Sequence, residues 1–243
     1  MKISLSTLSN LFAIYYTISF CLIVIPVLNS KTAGFGPSPY KDWYGVNDLL
    51  RLWEPFFSSP FQLFIFYAGS QYLPISYLNM AWFAFANALY QQGAGFHSGA
   101  ILFKNSLESL TWTNPSVTGD IYFWTRTTWE HAISHYSYAL GGVLFALLYC
   151  YQFSKVEYGD DITSNEMTSI DKSLWLISAI FFGLLVGLIS IEFPAGTIAT
   201  FVISLCFIIG ISWIFYNQNI NHKKLLKGQR VVLAHYLVSF SIG

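Results

Sequence analysis

Few ionisable side chains occur in this sequence, and three groups of them have the types and spacing for chemistry. The first lies in Trp129-Glu130-His131-Ala132-Ile133-Ser134-His135-Tyr136. His131 and His135 are four residues apart and share a helix face, with Glu130 about 100° away on a regular helix. Imidazole carries protons near neutral pH, donates and accepts hydrogen bonds and binds metals. The second is His97 in Gln91-Gln92-Gly93-Ala94-Gly95-Phe96-His97-Ser98-Gly99, where Gly95 and Gly99 are spaced to form a close-packing helix face. The third is Asn47, Asp48, Arg51 and Glu54, whose spacings of three and four place the charges near one face as a self-neutralising ladder or a polar wall. A glutamate beside histidines in apolar surroundings suits proton transfer, with Glu130 as general acid and His97 or His135 tuning it or returning the proton. Asp48, Arg51, Ser134 and Tyr138 are the expected ligand contacts. The glutamate precedes the first histidine, so the run is not the H-E-x-x-H zinc pattern, and neither metal nor cofactor is assigned. A metal held by His97, His131, His135 and Glu130 is the weaker alternative.

The elements that must position these groups are membrane spans. Of 243 residues, 54% are hydrophobic and 19% aromatic, and only 10% are charged. A soluble domain carries roughly 25% charged residues, so this chain lacks the charge to coat a soluble surface. Zero formal net charge with no long basic block argues against nucleic-acid binding. Cys21, Cys150 and Cys206 each sit in an apolar run and read as small helix residues. An all-α bundle of six to seven spans follows from the runs of about 20 apolar residues. They are Leu8–Leu28, Leu49–Ala68 bent at Pro55 and Pro60, Ile75–Phe103, Asp120–Phe153 with its apolar half from Tyr138, Leu174–Ile191 and Thr197–Tyr216. Val231–Gly243 is too short to cross and is expected to re-enter the membrane or to continue further. The first run reads as an anchor, because no small-x-small cleavage site follows it. Together the spans form a single integral membrane domain, residues 1–243, with its core in spans two to four.

Lys223, Lys224, Lys227 and Arg230 mark the loop between the sixth and seventh runs as cytosolic. By alternation the N-terminus is cytosolic, and Lys and Arg divide seven to five in favour of that side. All three ionisable groups then fall at the same, lumenal depth. An ionisable side chain at membrane depth is costly and marks a site by default.

The stretch from Tyr44 to about Phe153 resembles the ceroid-lipofuscinosis neuronal protein 6 family of endoplasmic reticulum membrane proteins. The resemblance runs through Gly45 and Pro55-Phe56-Phe57, Leu73-Pro74-Ile75-Ser76, Gly93-Ala94-Gly95-Phe96-His97, Asn114-Pro115, and Asp120, Glu130 and His135 at the family's spacing. The chain departs from it at Ile101 and Asn105, where the family has an Asp and a second His, and at Trp129 and His131. The resemblance implies a multi-pass endoplasmic reticulum protein that supports lysosomal enzyme export and lysosome biogenesis. Its expected partners are lysosomal enzyme clients, a membrane co-receptor or a second copy in a homodimer. His97 and Glu130 in successive spans also look distantly like the emopamil-binding, sterol-isomerase class, which implies a membrane lipid as ligand and isomerase-like chemistry.

Overall fold

The computed structural model describes residues 3–28, 34–35, 44–110, 115–155, 168–220 and 231–243. The described residues are helical apart from short turns and a two-residue antiparallel pair, β1 (Gly34–Phe35) with β2 (Tyr44–Gly45). The helices are α1 (Leu5–Leu28), α2 (Val46–Gly69), α3 (Tyr77–Leu110), α4 (Pro115–Trp124), a π-helical segment (Thr125–Ser134), α5 (His135–Gln152), α6 (Ser169–Glu192), α7 (Gly196–Gln218) and α8 (Val231–Ile242). Neighbouring contacts close a ring in the order α1, α2, α3, α5, α7, α6 and back to α1. Inside it, α8 packs on both α5 and α6. Its residues are apolar nearly all round, as an interior helix requires, and Val232, Leu233 and Tyr236 are fully buried.

Among the described residues, four segments are long and apolar enough to cross a bilayer: Ser6–Ile25, Gly119–Gln152, Ser169–Glu192 and Gly196–Gln218. The second and third expected spans form helices α2 and α3 but fall outside this set. The reason lies in their composition. Arg51, Glu54 and Gln62 on α2, and Gln91 and His97 on α3, face the interior of the ring as buried or half-buried polar groups. The expected loop from Lys104 to Gly119 is also reduced, because α3 continues to Leu110 and α4 begins at Pro115. Pro55 and Pro60 both lie within α2, which remains one helix through them. The basic loop with His222, Lys223, Lys224, Lys227 and Arg230 lies outside the described residues, as does Asn114.

The regular helix expected over Asp120–Phe153 is interrupted by ten residues of π-helix. A π-helix closes i→i+5 hydrogen bonds and turns once in roughly 4.4 residues. The buried residues Thr125, Glu130 and Ser134 are spaced five and four, matching that period. On an α-helix Thr125 would sit about 140° from Glu130. The wider turn therefore carries Glu130 and Ser134 inward on one face.

The Gly95/Gly99 packing face expected in α3 does not form among the described residues, where a Cβ built on either glycine meets nothing within 4 Å. The close approach lies elsewhere on the helix. A Cβ on Gly93 would sit 2.6 Å from the Tyr138 backbone N and 2.7 Å from the Ser134 carbonyl O. A Cβ on Gly141 would sit 2.6 Å from the Tyr90 backbone N. Antiparallel α3 and α5 thus touch backbone to backbone at two points, and Ser134 Oγ donates to the Gly93 carbonyl at 2.9 Å.

At the other end of the bundle, α6 opens with a capping box. Thr168 Oγ1 accepts from the Asp171 N–H at 3.2 Å, and Asp171 Oδ2 accepts from the Thr168 N–H at 2.9 Å. Asp171 Oδ1 also accepts from Ser9 Oγ on α1 at 3.1 Å. Because this carboxylate both caps α6 and ties it to α1, Asp171→Ala is expected to cost about 1–2 kcal/mol. Thermal unfolding in detergent should show a lower Tm, with a smaller drop for Ser9→Ala.

Candidate functional site: a polar-walled cavity in the bundle

A cavity of about 520 Å³ opens at the end of the ring opposite the chain's N-terminus. Its walls are of two kinds. Polar side chains come from α2 (Arg51, Glu54), α3 (Tyr90, His97, Ser98), the π segment (Arg126, Glu130, His131, Ser134) and the start of α5 (His135, Tyr138). Opposite them, α6 gives Leu185, Val186, Leu188 and Ile189, α1 gives Ile23 and Val24, and Ile203 and Phe240 come from α7 and α8. Arg126 and the rim residue Glu192 are exposed, whereas Glu54 and Glu130 are only 3% and 6% exposed.

All but one of the residues expected from sequence meet here. Glu130, His97 and His135 line the cavity, as do Arg51, Ser134 and Tyr138. Asp48 is carried on the first turn of α2, but its side chain lies outside the described residues. The three ionisable groups that the topology placed at one depth do occupy one end of the bundle.

Two sub-clusters organise the polar wall. In the first, the His97 and His135 rings stack at 5.1 Å with 16° between planes, and His135 stacks on Phe193 at 4.5 Å. Arg51 Nη1 lies 3.2 Å from both ring nitrogens of His97, while its Nη2 donates to the Ile23 carbonyl at 3.1 Å. A single guanidinium therefore joins α1, α2 and α3. In the second, Tyr90 Oη and Tyr138 Oη both lie within hydrogen-bond distance of the same oxygen of Glu54, at 3.0 Å and 2.8 Å. The two hydroxyls also contact each other, and their rings lie 4.1 Å apart. The ladder expected along α2 thus opens into two directions, Arg51 toward His97 and Glu54 toward the tyrosines.

The alternative metal arrangement does not assemble. Among the described residues no three His, Cys, Asp or Glu side chains are grouped to hold an ion. The geometry explains it. Imidazole lone pairs lie in the ring plane, so parallel stacked His97 and His135 present faces to each other rather than converging donors. His131 meets the His135 ring edge-on at 5.1 Å, and its Nδ1 lies 3.3 Å from the Glu192 carbonyl.

The sequence pattern does not single out Tyr90 or Glu192, and it places Glu54 in an ion ladder or polar wall without its tyrosine partners. Tyr90 lies seven residues before His97, two helical turns on one face, so the signal was there. The apolar wall from α6 had no such signal, because a lipid-facing residue and a cavity-facing one look alike in sequence.

No family model, no curated protein and no solved structure matches the chain.

Proposed function

We propose that this chain is an intramembrane lipid-binding protein whose cavity holds an amphipathic molecule. The ligand's polar group lies against Arg51, His97 and His135, and its apolar part lies along α6 and α1. One observation carries this reading: a single cavity is lined both by ionisable side chains from α2, α3, the π segment and α5 and by aliphatic ones from α6 and α1. Its volume is in the range of small-molecule sites, roughly 300–1,000 Å³. The enzymatic form of this reading is isomerase-like proton transfer, in which Glu130, His97 and His135 are the groups that hold and move the proton.

The finer placement belongs to the same proposal. The bundle has six to seven spans, counting α2 and α3 as spans whose polar residues face the cavity. It resides in the endoplasmic reticulum membrane with the cavity on the lumenal side. Support of lysosomal enzyme export and lysosome biogenesis, the role that the family resemblance implies, is then exerted through the bound lipid. The described lumenal connection at 193–195 is short, whereas a stable protein interface needs roughly 800 Å² from each partner. Client enzymes, a co-receptor or a second copy would engage through other surfaces.

Native mass spectrometry of the protein purified in mild detergent tests the reading. A specific lipid is expected on the wild type, and His97→Ala should lower its retention at least ~10-fold, about 1.4 kcal/mol. A bare protein in both forms would sink the lipid reading. Full lysosomal rescue by a well-folded His97→Ala, Glu130→Ala double variant would sink the enzymatic form.

A further inference from the structure

The Glu54 cluster has more oxygen–oxygen contacts than its tyrosines have protons. Three oxygens, Glu54 Oε1, Tyr90 Oη and Tyr138 Oη, are in mutual hydrogen-bond contact. Each contact needs one proton between its two oxygens. The two phenols supply two. If both point at the carboxylate, the tyrosine oxygens face each other with lone pairs only. Tyr15 on α1 is the next hydroxyl; it accepts from Gln62 Nε2 at 2.7 Å and keeps its own proton to donate. A proton from Tyr15 to Tyr90 would not fill the Tyr90–Tyr138 edge. Arg51, the neighbouring cation on α2 with contacts to His97 and the Ile23 carbonyl, would balance the charge of a carboxylate but would still leave one edge of the oxygen triangle without a proton. Among the described residues, the group left to supply the third proton is the carboxyl of Glu54.

We infer that Glu54 is the proton-holding carboxyl of the cavity, sharing its proton with Tyr90 and Tyr138 in a closed, uncharged ring of three O–H groups. Each oxygen then donates once and accepts once around the ring. An incoming acceptor opens the ring by taking one of its hydrogen bonds, with no separation of charge. On the lipid-binding reading, which this inference rests on for its ligand, the inner end of the cavity recognises an uncharged oxygen acceptor. A lipid hydroxyl or ester carbonyl fits; a phosphate or ammonium head is left to the exposed rim at Arg126 and Glu192. Glu54 thereby takes over from Glu130 the acid role in the enzymatic form of that reading, and Glu130 is a second carboxyl of the same cavity.

Infrared spectroscopy of the detergent-purified protein at pH 7 tests this directly, because a protonated carboxyl has a C=O stretch above the amide band and an ionised one does not. The wild type should show that band, Glu54→Gln should lose it, and Glu130→Gln should keep it. A wild type without the band, or a Glu54→Gln variant that retains it, overturns the inference. If Glu54→Gln fails to fold, the Tyr90→Phe, Tyr138→Phe variant keeps the carboxyl but strips its partners. Its band should move to higher frequency, and an unmoved band overturns the shared proton. Monoolein, an uncharged ester, should shift the wild-type band. No shift while mass spectrometry shows monoolein retained overturns the assignment of the ligand's head group. Loss of monoolein binding with the band intact counts against the lipid reading alone.

Discussion

Gly93→Leu and Gly141→Leu should each abolish recovery of a monodisperse folded protein. Even the Cβ of alanine at these sites would stand 2.6 Å from a backbone nitrogen of the facing helix, and backbone cannot swing aside as a flexible side chain can. The helices must separate, and overpacking of this kind costs about 1–3 kcal/mol or more. Alanine therefore should lower Tm at both positions, although Gly→Ala inside a helix otherwise gains roughly 1 kcal/mol. The control is sharp because the same substitution changes sign nearby. Gly95 and Gly99 have open space where a methyl group would go, so Gly95→Ala and Gly99→Ala should be neutral or stabilising. Thermal unfolding with size-exclusion chromatography of the four alanine variants settles which face of α3 carries the packing. A stable Gly141→Ala beside a destabilised Gly99→Ala would mean that α3 meets α5 through the other face.

The effect reaches the site because the two contacts flank it. Gly141 holds α5 at the level of Tyr90, and Gly93 holds it at Ser134 and Tyr138. Pushing α3 from α5 parts Tyr90 from Tyr138 and His97 from His135 together. Gly93→Ala should therefore lose bound lipid as well as stability.

How far the sequence reveals this arrangement differs from element to element. Apolar run length located α1, α6 and α7 to within a few residues, because a bilayer fixes helix length and composition together. Helical spacing and chain alternation together brought His97, Glu130, His135 and Arg51 to one end. What resisted was anything that depends on which side of a helix meets which neighbour. Gly95 and Gly99 have the local spacing of a packing face, yet it is Gly93 that meets the partner backbone, since the rotation of α3 is set by α5 and α2. The π segment was equally hidden: its i→i+5 register follows from burying Thr125, Glu130 and Ser134 together, a tertiary demand that residue types do not announce. Glu54 reads as part of an ion ladder or a polar wall with no tyrosine attached, because those partners lie 36 and 84 residues away.

Arg51→Ala should have the second large effect, and it acts through a different cause. The guanidinium makes contacts to His97 on α3 and to the Ile23 carbonyl on α1, both inside the bundle. Hydrogen bonds from a charged group contribute about 1.5–3 kcal/mol each, and removing the donor takes it from both acceptors at once. A loss of about 3 kcal/mol is expected, roughly two decades in an equilibrium constant. Arg51→Lys should recover only part of that, since one ammonium cannot reproduce the planar fork that reaches two helices at once. Arg51→Met keeps the apolar stem without the charge, so it separates packing from hydrogen bonding. If Met restores stability while lipid retention stays low, the guanidinium acts on the ligand, as a wall contact or by orienting the His97–His135 stack. If Met restores both, Arg51 is a spacer and the polar group of the ligand lies elsewhere along the wall. A charge kept inside the bundle only to hold three helices is costly. The stacked histidines beyond it give that charge something to orient.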